Sequence, residues 1–324
     1  MIMRLTRLGN TDMMVSELAL GTVNYGSALK SVQVDEQMDC YVAMGGNFLD
    51  TARVYGDWVP GTSGLSEKSV GQWLRNRKNR SKIILSTKGG HPRLATMEIP
   101  RMDKVELRAD LEESLRHLQT DYIDLYFLHR DDTNIPIPEL LDCLEQWKME
   151  GVIRYYGCSN WSLQRLQEAR NYADQKGYSG FVSNQILASL ADVNGKWCKK
   201  NQFVAMTEEF QEFHQKTGDN LMAYMSGSNG YFVKRFLGKE MAANMQEKYG
   251  CMENDAIYSY LLQACSNEKE ILAYCYRFIT NRGYSAVPIA SFTTLEQLKV
   301  SMESFDEPID GSMLCEMELL KRQV

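Results

Sequence analysis

Eight short apolar runs alternate with stretches of helical period along almost the whole chain, and no other feature constrains the fold as tightly. The runs are ELALGT, residues 47–50, 83–87 and 123–128, VIRYYGCSN ending at Ser159 and Asn160, FVSNQ closing on Gln185, LMAYM and SAVPI. Helices are expected over 34–44, 66–77, 139–150, 162–176, 207–217, 255–266 and 269–281, and from Thr294 onward. A further one carries Leu107, Leu111, Leu115 and Leu118 on one face. Ser66 and Glu67 read as the cap of the 66–77 helix. Strands separated by helices run parallel, and eight of them in 324 residues predict an α/β chain closed into a (β/α)8 barrel, the TIM-barrel architecture. A doubly wound open sheet is the competing arrangement. Two apolar runs around the Gly9-Asn10 turn predict an N-terminal β-hairpin ahead of the barrel. No repeat or linker divides the chain, so a single domain over 1–324 is expected. Segments 187–203 and 226–250 show little periodicity and are expected as irregular loops. The first of them, with Trp197, is a candidate active-site loop.

Composition removes whole classes of function. A net charge of −6 without a dense Lys/Arg block argues against a nucleic-acid partner. No apolar run approaches the roughly 18 residues that would suggest a membrane span, and the N-terminus lacks a signal-like apolar core, so a cytoplasmic location is expected. The eight cysteines include no CxxC pair and read as reduced core residues. Neither HExxH nor paired metal spacing is present, so no metal is expected. No GxGxxG follows a strand, which closes the Rossmann route to a nucleotide.

Three runs end on ionisable residues: 47–50 on Asp50, IILSTK on Lys88 and IDLYFLH on His129, with Tyr55 just beyond the first. In a parallel barrel these ends share one rim, so four side chains can converge on one reaction centre. A free phenol titrates near roughly 10, and an adjacent ammonium brings that value down by favouring phenolate. Lys88 can supply the ammonium, Asp50 can hold it charged and in place, and His129 can hydrogen-bond a carbonyl oxygen or relay a proton. Such a centre protonates an oxygen while something else delivers to the carbon. Singly, each residue also reads as a loop charge, a helix cap or a packed ring; the joint pattern points to chemistry.

The runs ELALGTVNYG, NFLDTARVYG, GLSEKSVGQWL, ILSTKGG, DLEESLRHLQTDYIDLYFLHR and GVIRYYGCSN stand in an order and spacing that resemble the aldo-keto reductase superfamily over nearly the whole chain. The resemblance implies an eight-stranded barrel that binds a nicotinamide dinucleotide, NADP or NAD, in extended form. It implies a tetrad of Asp50, Tyr55, Lys88 and His129. In it Tyr55 is general acid in reduction and general base in oxidation, Lys88 with Asp50 lowers its pKa, and His129 orients the carbonyl. It further implies Ser159, Asn160 and Gln185 at the nicotinamide carboxamide, Tyr224 stacked on the ring, and Gly21 and Thr22 where the first strand approaches the cofactor. At the adenosine end Ser291 and Phe292 would hold phosphate and adenine. There Gln297 stands near the expected arginine and Ser301 near the expected asparagine.

No Lys or Arg occurs between Gly283 and Leu298, whereas a 2′-phosphate calls for a cationic partner, so NADH use is expected alongside the family's usual NADPH. Trp58 is expected to wall the substrate pocket, with Trp161 and Tyr25 contributing; an aromatic wall suits a sugar, a steroid or an aryl aldehyde. The leading expectation is an oxidoreductase interconverting a small-molecule carbonyl and its alcohol. The alternatives are a dinucleotide-sensing regulatory subunit of a membrane channel with little turnover, and a barrel that has left dinucleotides altogether.

Overall fold

The computed structural model describes residues 2–321; Met1 and residues 322–324, the extremes of the expected 1–324 domain, lie outside the described residues. Strands β1 (Leu5–Arg7) and β2 (Met14–Ser16) form the antiparallel hairpin, with Leu5 opposite Ser16. The eight apolar runs become β3 (Ala19–Gly21), β4 (Phe48–Asp50), β5 (Ile84–Gly89), β6 (Ile123–Leu128), β7 (Ile153–Ser159), β8 (Phe181–Leu187), β9 (Asn220–Tyr224) and β10 (Ala286–Ala290). They pair in parallel and in sequence order, and β10 pairs with β3 to close the barrel, so the open-sheet alternative is excluded.

Helices pack outside in the expected alternation: α1 (Ser31–Ala43), α2 (Leu65–Arg77), α3 (Lys104–Leu118), α4 (Ile137–Met149) and α5 (Leu163–Lys176). Then come α6 (Gly195–Lys200), α7 (Glu208–Thr217), α8 (Tyr231–Phe236), α9 (Ala243–Tyr249), α10 (Met252–Ala264), α11 (Glu268–Thr280), α12 (Leu295–Glu303) and α13 (Gly311–Lys321). In α3 the Asp103 carboxylate caps the amides of Val105 and Glu106, and Leu107, Leu111 and Leu118 are buried as their spacing requires. The segments 187–203 and 226–250 are not wholly irregular, since they hold α6 and the pair α8 and α9. Helices of under two turns leave too few positions for a 3.6-residue repeat to register in sequence. No described helix is long and apolar enough to cross a membrane, and all eight cysteines are free.

Strand parity positions the site. Phe48, Leu125 and Phe127 point into the barrel, where they meet Val182, Met222 and Val287; Leu8, Met13 and Val15 of the hairpin region join the same cluster and fill the N-terminal end. Leu49, Leu85, Tyr126 and Leu128 face the helices instead. Successive residues alternate across a strand, so Asp50, Lys88 and His129 fall on the interior side at the C-terminal mouth.

Candidate active site

Asp50, Lys88 and His129 are brought together at that mouth, and Tyr55 is carried to them by the turn that follows β4. Lys88 Nζ donates to Asp50 Oδ2 at 2.7 Å and to the Thr51 carbonyl oxygen at 2.7 Å. The other carboxylate oxygen accepts from Ser86 Oγ at 2.8 Å and Gln185 Nε2 at 3.1 Å, so the charge of Asp50 is compensated on both sides. The Lys88 ammonium also lies 5.0 Å from the centre of the Tyr55 ring. The pair sits under Ser66 and Glu67. These do not cap α2, whose N-cap is Gly64 in a left-handed conformation. Both face inward: Ser66 Oγ meets the hydroxyls of Thr22 and Thr51, and Glu67 accepts from Thr87 Oγ1 at 2.6 Å.

Burial works against the Lys88 ammonium, yet Asp50 and Tyr55 outweigh it and hold its pKa above the ordinary lysine value. For Tyr55 the balance is opposite to the sequence expectation. Burial pushes the phenol above its ordinary value, while the downward pull of Lys88 is partly cancelled by Asp50. Tyr55 is therefore protonated across neutral pH, the state a proton donor needs. Burial, with the charges of Arg130 and Lys88, holds the His129 imidazole well below its ordinary value, so it is neutral. Its ring packs edge-on against Tyr55 and His91, and its Nδ1 has no partner.

Two other imidazoles are held neutral by burial, His91 and His214, each with a pKa of about 4. Unfolded, they titrate at 6.5, so between these values the unfolded chain binds more protons. Their contribution is complete above about pH 6.5 and is lost as the pH falls toward about 4. Asp219, raised to about 6 by burial, runs the other way and offsets part of the loss. Urea midpoints are expected to decline from about pH 7 to about pH 4.5; a constant midpoint would show that these imidazoles titrate freely in the fold.

A cavity of about 1090 Å³ opens above the four residues and runs to the start of α12. Gly21, Ser159, Asn160, Gln185, Tyr224, Ser291, Phe292 and Gln297 line it, as do Trp58 and Ser301. Three expected residues do not. Thr22 is buried, its hydroxyl donating to the Asp50 carbonyl oxygen. The Tyr25 hydroxyl donates to Gln37 Oε1 in the core, and Trp161 packs on Phe181 while its Nε1 donates to the Arg130 carbonyl oxygen. Both rings face the helical layer, so neither walls the pocket.

The lining suits a nicotinamide dinucleotide. Ser159 Oγ donates to the Gln185 carbonyl oxygen, Asn160 Nδ2 donates to Ser159 Oγ, and Asn160 Oδ1 accepts from Val204 N and from Tyr224 Oη at 2.6 Å. A ligand amide needs both a donor and an acceptor, and this neutral set carries both. Asn160 holds a left-handed φ of 60°, fixed by those bonds. A Cβ on Gly21 would stand 2.5 Å from Ser291 Oγ, so a side chain there would have to displace the Ser291 hydroxyl from the wall where β3 meets the end of β10.

Toward α12 the lining holds Thr293, Thr294 and Glu296, and Gln297 Oε1 is engaged by the Thr293 amide and hydroxyl, each at 3.0 Å. The cations of the lining lie elsewhere: Arg130 beside His129, and Lys234, Lys239 and Lys248 on the segment after β9. Sequence reasoning missed these four, and also the backbone of that segment. There Met225, Ser228 and Asn229 take φ values of 57°, 52° and 52°, rare for side-chain-bearing residues. The Ser226-Gly227 and Asn229-Gly230 dipeptides signal turns here, but the left-handed conformation falls on residues near the glycines, which the dipeptides alone do not indicate. The conformation is held from outside, with Ser226 Oγ donating to the Ile289 carbonyl oxygen and Tyr249 Oη to Asn229 Oδ1.

A family model described as "Aldo/keto reductase family" matches residues 17–321. "Protein tas" of Escherichia coli (strain K12) is 26% identical over 350 residues, covering 98% of this chain and 97% of that protein. "Norsolorinic acid reductase B" of Dothistroma septosporum is 32% identical over 194 residues, covering 55% of this chain and 47% of that protein. Among solved structures, the holo form of the aldo-keto reductase AKR11C1 from Bacillus halodurans is similar with a TM-score of 0.74 at 25% identity. The match covers 98% of this chain and 96% of that one.

Proposed function

The chain belongs to the aldo/keto reductase family, a family of oxidoreductases, and from that premise we propose that it interconverts a small carbonyl compound and its alcohol with Tyr55 as proton donor and acceptor. The observation that carries the reading is the buried Asp50 and Lys88 pair, 2.7 Å apart, with the ammonium 5.0 Å from the centre of the Tyr55 ring. A bound nicotinamide dinucleotide supplies the hydride. Tyr55 hands its proton to the carbonyl oxygen, and the Lys88 ammonium stabilises the phenolate left behind. Asp50 keeps that ammonium charged and fixed. The neutral His129 imidazole lies beside the phenol and donates a hydrogen bond that aims the carbonyl oxygen at Tyr55. Ser159, Asn160 and Gln185 would hold the carboxamide of a bound nicotinamide, and Tyr224, which lines the same wall, would meet its ring. Trp58, half exposed at the mouth, walls the substrate side. Carbonyl-dependent oxidation of reduced dinucleotide, followed by absorbance, tests the reading; its absence across aldehydes, ketones and sugars would overturn it.

The adenosine end favours NADH. Residues 289–301 that line the cavity include one carboxylate, Glu296, and no cation. A carboxylate accepts from a ribose 2′-hydroxyl and repels a 2′-phosphate. Titrating the protein separately with NADH and NADPH, read by tryptophan fluorescence, is expected to give a Kd for NADH lower by about 10-fold. Tighter binding of NADPH would show that a lysine of the segment after β9 reaches the 2′-phosphate.

A further inference from the structure

Arg130 follows His129 directly and lines the catalytic cavity, yet the protein gives its charge no counter-charge. Nη1 donates to the His129 carbonyl oxygen at 3.2 Å, Nε is buried without a partner, and among the described residues no ion pair involves this guanidinium. By contrast Arg165, also beside Trp161, is tied to Asp131 at 3.1 Å. The groups that feel the Arg130 charge are Tyr55, His129, His91 and Tyr224, all at the reaction centre. Its one further contact is the Phe203 ring, 5.7 Å away, which is itself packed against Tyr224 and Trp197. Burial opposes the charge and lowers the Arg130 pKa from its ordinary value.

An unpaired guanidinium in a low-dielectric pocket costs stability unless the working complex brings its partner. We propose that the partner is a carboxylate of the substrate, so that the compound reduced is an oxo acid: its carbonyl meets Tyr55 and His129, while its carboxylate is held by Arg130. The subsite rests on the reductase reading only for the carbonyl half. Its position decides which end of the ligand it meets. Arg130 adjoins Tyr55 and His129, whereas the lysines available to cofactor phosphates are on the segment after β9. The Phe203 platform keeps water from one side of the guanidinium, which strengthens a charge-assisted bond to a planar carboxylate.

The experiment uses matched pairs on the full chain. Steady-state kcat/KM is measured for 4-carboxybenzaldehyde and for methyl 4-formylbenzoate, which differ only in the anionic group. Binding of the non-reducible 4-methylbenzoate and 4-methylbenzamide is followed in parallel by tryptophan fluorescence. The wild-type ratio of acid to ester is expected to exceed about 10 and to collapse by roughly 10- to 100-fold in Arg130→Met. Arg130→Lys should keep part of the preference. A residue acting only through packing, or only on the Tyr55 phenol, would lower both substrates together and leave the ratio unmoved. A wild-type ratio near unity, or one that survives Arg130→Met, overturns the subsite. If neither aldehyde is reduced but 4-methylbenzoate binds in preference to the amide and needs Arg130, the subsite stands and the reductase reading falls. If there is neither reduction nor acid-selective binding, both fall.

Discussion

Tyr55→Phe is expected to lower kcat by about 10²- to 10⁴-fold, the usual reach of a positioned general acid, while the affinity for the dinucleotide stays within a factor of about two. The substitution removes one oxygen from a partly buried ring and leaves its edge-on packing with His129 in place. What disappears is the hydroxyl of a ring whose centre lies 5.0 Å from the Lys88 ammonium. Stopped-flow and steady-state turnover, with the same fluorescence titration as control, separate the two effects. Full turnover in the phenylalanine variant would strip Tyr55 of its role and move proton delivery to His129 or to water. The raised phenol adds a second expectation: as pH rises, reduction should keep its rate until the solution passes the ordinary phenol range near roughly 10. The sign follows from the protonated form being the active one in that direction.

The clustering of Asp50, Lys88 and His129 at the barrel mouth was legible because strand period and charge coincided there. Phe48 and Phe127 had to point inward, so Asp50 and His129, two residues later on the same side, had to point inward too. The same parity could have excluded Tyr25 and Trp161, but both lie beyond their strands, in turns where period two no longer holds. Thr22 failed for a related reason, one residue past β3, where the chain turns its hydroxyl to Ser66 rather than to the cavity. Ser66 and Glu67 looked like a cap because cap residues and buried braces use the same side chains. Only the inward face of α2 tells them apart. Arg130 was passed over because an arginine after a strand reads as a solvated loop charge, and the lack of a carboxylate partner is a fact of three dimensions.

Lys88→Met tests whether the buried pair holds the fold as well as the chemistry. Methionine fills the volume of the lysine stem, so little cavity is created. It leaves the Asp50 carboxylate at the barrel mouth with the neutral donors Ser86 and Gln185 but no positive charge. Removing one partner of a buried ion pair costs about 3–5 kcal/mol, and the side chains here are 0% and 3% exposed, so solvent screening does not relieve it. The urea midpoint should fall accordingly with an unchanged m-value, and turnover should fall with it, because the Tyr55 phenolate loses its stabilising ammonium. Asp50→Asn with Lys88→Met should recover most of the stability while recovering none of the turnover, since neutralising the carboxylate ends the desolvation penalty without restoring the cation. That divergence is what a pair with two separate duties must produce. If the two substitutions instead add, in stability and in rate, then Lys88 and Asp50 act independently, and the account of Asp50 as the group that holds the lysine charged is wrong.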